Sequence, residues 1–329
     1  MPFSISDLEQ AQEKLGDLIR VTPTWSWRGD AKAELLDAAT TVAIKLELFQ
    51  FGGSFKARGA LCVMLDLSPE ELKRGVTAIS AGNHAIAVSY AAKVLGTQAK
   101  VVMPNYAPQS RIDKCRSMGT EVVLVEDVMV GFEKVKEIEQ REGRTYVHPF
   151  DGPKTILGTG TCGHEFCQQA GQLDMAILPI GGGGLAAGMS AAIKLHYPEC
   201  EIFGVEPTGA CSMHMSFQSG KPESIKSVET VAKSLGAPFA LPYSFEICKT
   251  NISEIVLVSD EQLFRCMAIM FEQFKLVTEP AAAATLAALL GPLKERARGK
   301  RVGIIACGCN TDLSTFSDYV GRGIALAAN

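Results

Sequence analysis

Gly52-Gly53-Ser54-Phe55-Lys56-Ala57-Arg58-Gly59 sets one lysine behind two glycines and an aromatic ring. Just upstream, Val42, Ile44, Leu46 and Leu48 alternate with their neighbours, the period of a half-buried strand. The flanks Phe55 and Ala57 suit a partly desolvated pocket, and desolvation lowers an amine's pKa. A neutral amine attacks carbonyls and forms a Schiff base. Few cofactors use such a lysine, pyridoxal phosphate first among them. The plain alternative is a solvated loop lysine, and this motif alone does not separate the two.

Outward from this stretch, short β-branched runs alternate with longer helical ones. Strands are expected at 76–80, 100–103, 121–125, 175–180, 202–205, 255–258 and 302–306. Several are apolar at nearly every position, as in strands buried on both faces. Helices are expected at 83–95, closing on Gly96, and at 185–196, before Pro198. Capping boxes at Ser6-x-x-Glu9 and Ser259-x-x-Gln262 open two more, the second running to Lys275. The pattern predicts an α/β protein with two open, twisted, mainly parallel sheets flanked by helices. One sheet takes about four strands between Val76 and Val147; the other takes the later strands and the 42–48 segment. The Pro149-Phe150-Asp151-Gly152-Pro153 break marks the crossing. We therefore expect a large domain of residues 1–73 and 151–329, a small domain of residues 74–150, and a ligand in the cleft at the strands' C-terminal ends.

The chain has 329 residues, 47% hydrophobic and 21% charged, with a net charge of −4. No Lys/Arg cluster stands out, so neither nucleic acid nor a membrane is an expected partner. Residues 1–15 are polar and acidic, and no signal peptide is expected there; the expected location is cytoplasmic. The ten cysteines are scattered, and none forms Cys-x-x-Cys. Most are read as small buried apolar residues in a reducing compartment.

Three further motifs carry chemistry. Gly181-Gly182-Gly183-Gly184-Leu185 follows a strand and opens a helix. Glycine amides approach an anion without Cβ interference, and the helix N-terminus adds partial positive charge. A tight turn is the bland reading, but consecutive glycines weaken a chain for no packing gain. Gly181-x-Gly183-x-x-Ala186 with Glu206 further on also fits a relaxed dinucleotide fingerprint, which alone would indicate an NAD-dependent oxidoreductase. That reading leaves Lys56 unexplained. Ser80-Ala81-Gly82-Asn83-His84 again ends a strand and starts a helix, an arrangement suited to a carboxylate. Asn83 could serve only as an N-cap, and His84 only local hydrogen bonds. Finally, Ile305-Ala306-Cys307-Gly308-Cys309-Asn310 ends a strand at a small polarisable side chain.

Together these motifs resemble the serine/threonine dehydratase and serine racemase family of pyridoxal phosphate enzymes, whose fold is type II, like that of tryptophan synthase β. The resemblance covers nearly the whole chain. It implies that Lys56 is the Schiff-base lysine with Phe55 packed near the ring, and that Asn83 bonds the phenolic oxygen. It also implies that Gly181, Gly182, Gly183, Gly184 and Leu185 hold the phosphate, and that Cys307 faces the pyridine nitrogen. Ser80, Ala81, Gly82, Asn83 and His84 then hold the substrate carboxylate, and Glu279 lies near the ring. The implied reaction is loss of water from a β-hydroxy amino acid of the threonine/serine type, giving a 2-oxo acid and ammonia. The resemblance is to the short, catabolic dehydratases, which are commonly homodimers.

Departures from the family pattern refine this. A neutral thiol at Cys307 cannot keep the pyridine nitrogen protonated, which favours prompt elimination over a long-lived carbanion. Racemases carry a hydroxyl where this chain has Ala81, and a methyl group transfers no proton. They also tend to have an Arg near Gly131, and none is here. Phe150 replaces a polar residue, and Gly158-Thr159-Gly160-Thr161 replaces the commoner Gly-Gln-Gly-Thr. Both changes lie on the expected substrate side, so a bulkier or acidic substrate, phenylserine or 3-hydroxyaspartate, is an alternative to serine or threonine. Some relatives hold a divalent cation; Glu206 and Ala210 match two of its ligands, but Ser212 replaces the aspartate. That puts a monovalent ion, or none, on a footing with magnesium.

Overall fold

The computed structural model describes residues 1–327. Its strands are β1 (Thr24–Trp27), β2 (Thr41–Lys45), β3 (Val76–Ile79), β4 (Ala99–Pro104), β5 (Glu121–Val125), β6 (Thr145–Tyr146), β7 (Met175–Pro179), β8 (Glu201–Pro207), β9 (Glu254–Val258) and β10 (Arg301–Ile305). They form a six-stranded sheet in the order β1-β2-β10-β7-β8-β9 and a four-stranded sheet in the order β5-β4-β3-β6. Every pairing is parallel except that of β1 with β2.

Strands β3 and β7 are buried at every position, which is why their sequences read as apolar runs. The four-stranded sheet shares a core with residues from two earlier helices: Ala11 and Leu15 of Ile5–Leu15, and Ala60, Leu61 and Met64 of Lys56–Met64. The Lys56–Met64 helix thus lies between the two sheets, and Lys56 stands at its first position.

Three local readings differ from expectation. The first helix starts at Ile5, because Ser4 and Asp7 form the capping box, with Ser4 N donating to Asp7 Oδ2 at 2.7 Å. The expected Ser6–Glu9 pair lies inside that helix. β2 ends at Lys45 rather than continuing to Leu48, because the chain turns at Glu47–Phe49 to bury the Glu47 carboxylate against Arg58. β1 was not expected; it is an edge strand with two exposed central residues. The Ser259 box is present, and its helix ends on Lys275 in the left-handed conformation (φ 56°).

Ile305 pairs with Lys45 at the C-terminal end of β10. Beyond it, Leu48 N donates to Ala306 O at 2.9 Å and Phe55 N to Cys307 O at 3.2 Å. This lacing carries Cys307 to the foot of the Lys56 helix. Gly158 and Gly188 allow close helix contact: a Cβ on Gly188 would stand 2.1 Å from Thr159 Oγ1. The Gly158–Thr161 segment, expected on the substrate side, is largely occupied with packing.

Candidate active site

Gly52 (φ 78°) and Gly53 (φ 77°) make the turn that delivers Lys56, and both need left-handed backbone. A Cβ on Gly53 would also stand 2.8 Å from Asn310 Oδ1. The Lys56 ammonium donates to the carbonyl of Pro149. Burial pushes this amine down to about 8, against the opposing pull of Cys307 and Glu279. Beneath the helix, Arg58, Glu47, Glu165 and Lys45 form a buried ion network with contacts of 2.5 to 3.0 Å.

The glycine loop is built for an anion. The amides of Gly181, Gly182 and Gly183 donate to no acceptor among the described residues, although Gly182 and Gly183 are buried. The reason lies on the outside of the loop. Ser244 Oγ donates to Gly182 O at 3.0 Å, and Cys248 Sγ to Gly183 O at 3.7 Å. In a trans peptide the carbonyl and the next N–H point in opposite directions. Tying these carbonyls outward turns the amides of Gly183 and Gly184 toward the recess they line. Side chains are excluded here: a Cβ on Gly184 would meet Phe150 O at 2.4 Å. Buried, unpartnered donors at the start of the Gly184–His196 helix fit a phosphate.

Phe55, Lys56, Asn83, Glu279 and Cys307 line that same recess, together with the glycine loop. Asn83 Nδ2 donates to Glu279 Oε1 at 2.6 Å. Burial raises the Glu279 carboxyl, while Arg111, 3.4 Å from its other oxygen, works in the opposite direction. Burial, with the charge of Glu279, raises the Cys307 thiol well above its ordinary value, so it is a neutral thiol.

A larger cavity of about 580 Å³ opens beside Lys56 and is lined by Ser80, Ala81, Gly82, Asn83 and His84. Gly82 N donates to Ser80 Oγ at 3.0 Å. A Cβ on Gly82 would stand 2.2 Å from Arg111 Nη1, so a side chain there would have to displace this guanidinium. His84 Nε2 donates to the Val147 carbonyl at 2.8 Å. Burial and the neighbouring Lys56 push this imidazole down to about 3, so it stays neutral. Ile79, Val128, Met129, Phe132 and Phe150 give the cavity an apolar side, while Arg111, Lys226 and Lys233 also line it.

Glu206 does not look like a cation ligand. Its carboxylate accepts the amides of Met213 (3.1 Å) and His214 (2.6 Å), capping the Ser212–Ser219 helix. Both oxygens therefore face donors, and burial raises this carboxyl to about 8, so it keeps its proton at neutral pH. Ala210 closes the turn before that helix, its amide bonding Pro207 O at 2.9 Å. Among the described residues no group of three His, Cys, Asp or Glu could hold a metal ion. The same engagement takes Glu206 away from the ribose-binding role that the dinucleotide reading needs.

Sequence reasoning missed Arg111, Asn310 as a partner of Asn83, Ser234, and the loop-tying Ser244. Asn310 lay inside a motif already singled out. The others carry no local signal, because their partners are far away in the chain.

The family model for pyridoxal-phosphate dependent enzymes matches residues 15–308. The phenylserine dehydratase of Ralstonia pickettii is 51% identical over 284 residues, covering 86% of this chain and 87% of that protein. The L-threonine ammonia-lyase of Thermotoga maritima is 35% identical, covering 98% of this chain and 79% of that protein. Maize serine racemase superimposes with a TM-score of 0.89 at 29% identity, and each chain is covered completely. A lowered lysine, an anion cradle and a neutral thiol in one recess agree with a match that spans most of the chain, which belongs to the pyridoxal-phosphate dependent enzymes of fold type II.

Proposed function

We propose that this enzyme dehydrates β-hydroxy amino acids whose β-substituent is bulky and apolar, the phenylserine class. The carrying observation is the cavity beside Lys56, about 580 Å³ and walled on one side by Ile79, Val128, Met129, Phe132 and Phe150. Serine or threonine would leave much of that wall uncovered. Burying a phenyl ring there stabilises the complex at about 25 cal/mol per Å² of apolar area. The R. pickettii relative, named for phenylserine, supports the same reading.

Pyridoxal phosphate, when bound, withdraws electrons from the substrate's Cα. The chain supplies the rest. Lys56, neutral above about 8, takes the Cα proton. The β-hydroxyl leaves as water, and water re-enters on hydrolysis, so the net products are a 2-oxo acid and ammonia. The amides at Gly181 to Leu185 hold the phosphate. Ser80, Ala81, Gly82, Asn83 and His84 hold the carboxylate at a helix start. Cys307, a neutral thiol, would meet the pyridine nitrogen without charging it, and Asn83 and Glu279, which line the same recess, would hold the ring. Ala81 offers no acid to return a proton from the opposite face, so elimination outruns racemisation. No cation is part of this proposal. On the family resemblance we place the enzyme in the cytoplasm as a homodimer; among the described residues no helix is long and apolar enough to cross a membrane.

The test is 2-oxo acid release by purified holoenzyme from phenylserine, threonine, serine and 3-hydroxyaspartate. The highest kcat/KM is expected with phenylserine. A preference for threonine or hydroxyaspartate overturns the substrate assignment.

A further inference from the structure

The two ends of an asparagine amide match in shape but not in bonding: one donates, the other accepts. Which end Asn83 turns to the recess is decided by residues outside it. Lys114 can only donate, and its ammonium reaches Asn310 Oδ1 at 2.9 Å. The Gly52 carbonyl can only accept, and it takes Asn310 Nδ2 at 2.7 Å. These two contacts fix the Asn310 amide from both ends. Its remaining N–H meets Asn83 Oδ1 at 2.7 Å. Asn83 must then aim its own Nδ2 at Glu279 Oε1, 2.6 Å away, and Ser234 Oγ, 3.3 Å away.

We propose that Lys114 and Asn310 are positioning residues that hold the Asn83 amide donor-side toward the cofactor recess. The chain of contacts crosses the molecule: Lys114 lies in the helix Gln109–Arg116 beside the four-stranded sheet, and Asn310 follows β10 of the other sheet. Asn310 is only 9% exposed, so water has little room to replace a lost partner. Its backbone carbonyl is held as well, by Arg111 Nε at 3.0 Å, so the residue has little freedom to shift. A donor-only group thus selects the polarity of an amide two contacts away. The inference rests on pyridoxal phosphate binding here and is independent of which β-substituent is preferred.

The test is a double-mutant cycle read in the holoenzyme. Asn310→Asp can donate neither to Gly52 nor to Asn83, so Asn83 Oδ1 meets a carboxylate in either orientation and the amide loses its fixed polarity. The expected result is at least about tenfold weaker pyridoxal phosphate binding, with a shifted visible absorption band. In an Asn83→Ala background the same change should cost less than about twofold, because there is no amide left to turn. If the tenfold loss persists in that background, Asn310 acts as packing and the proposal is overturned. Cofactor binding by Asn310→Asp equal to that of the parent overturns it too. Should Asn310→Asp fail to fold, Lys114→Met on the exposed side gives the same cycle. There a loss of about threefold that vanishes with Asn83→Ala supports the proposal, and an additive or absent loss overturns it.

Discussion

A Cβ placed on Gly182 would stand 2.2 Å from Cγ of Phe150. The ring lies against the glycine loop and also lines the cavity beside Lys56, so one aromatic residue supports both. Gly182→Ala must push this ring or the loop aside. Overpacking of this kind costs about 1–3 kcal/mol in stability. It should also misalign the amides, lowering cofactor affinity by at least about tenfold, equal to ~1.4 kcal/mol. Pyridoxal phosphate content after gel filtration and a thermal melt measure the two effects. Full cofactor retention with an unchanged melt would mean that the loop tolerates a side chain, and the cradle argument would fail.

The features legible in the sequence were those written in consecutive residues. The parallel strands could be read because burial on both faces leaves continuous apolar runs such as 175–179. Lys56 and Gly181 to Gly184 could be read because turn, helix start and chemistry sit within a few positions. β1 escaped because Thr24–Trp27 is an exposed edge with no apolar run. Glu47 and Arg58 look like surface charges in sequence; their burial depends on Glu165, which is 107 residues from Arg58. The contact of Arg111 with the Asn310 carbonyl spans 199 residues, and neither residue type announces it.

The lowered Lys56 amine has a direct consequence for cofactor loading. Only the neutral amine attacks the aldehyde, and this one loses its proton near pH 8 rather than at its ordinary 10.5. In cofactor-stripped protein, the rate of reconstitution should rise with pH and level off above about 8. An unperturbed lysine would keep gaining to beyond pH 10. Stopped-flow absorbance of the reforming holoenzyme reads the midpoint. A rate still climbing at pH 9.5 would place the amine in a wetter setting than the structure shows. Borohydride reduction of the holoenzyme followed by peptide mapping should put the pyridoxyl label on Lys56 and on no other lysine.

Phe132 comes from the Val128–Glu142 helix beside the four-stranded sheet, and its ring centroid lies 5.4 Å from that of Phe239 in the opposite half of the molecule. Phe132 lines the apolar side of the cavity, where an aryl substituent would lie, and Phe239 backs it. Phe132→Ala removes one face of that slot. Losing such a contact costs about 0.5–1.5 kcal/mol beyond the lost area. We expect kcat/KM for phenylserine to fall about tenfold or more, with threonine changed by less than about threefold. The ratio of the two is the informative quantity. Equal losses on both substrates would show that Phe132 supports the fold rather than the choice of side chain.

Glu206 makes a pH prediction whose sign follows from its burial. Two amide donors favour the ionised form, but burial wins and raises this carboxyl from 4.5 to about 8. Between those values the unfolded chain gives up a proton that the folded chain keeps. Stability therefore falls as pH rises from about 4.5 to 8, by up to ~1.4 kcal/mol per pH unit for this one group. Glu206→Gln cannot ionise, although its Nε2 gives up one of the two amide contacts that the carboxyl accepts. The variant's urea midpoint should therefore gain on the parent's as pH rises from 5 to 8. Other groups titrate in this range too, but they are common to both proteins and cancel in the difference. Parallel pH profiles would mean that Glu206 is ionised in the native state, with its helix cap outweighing burial.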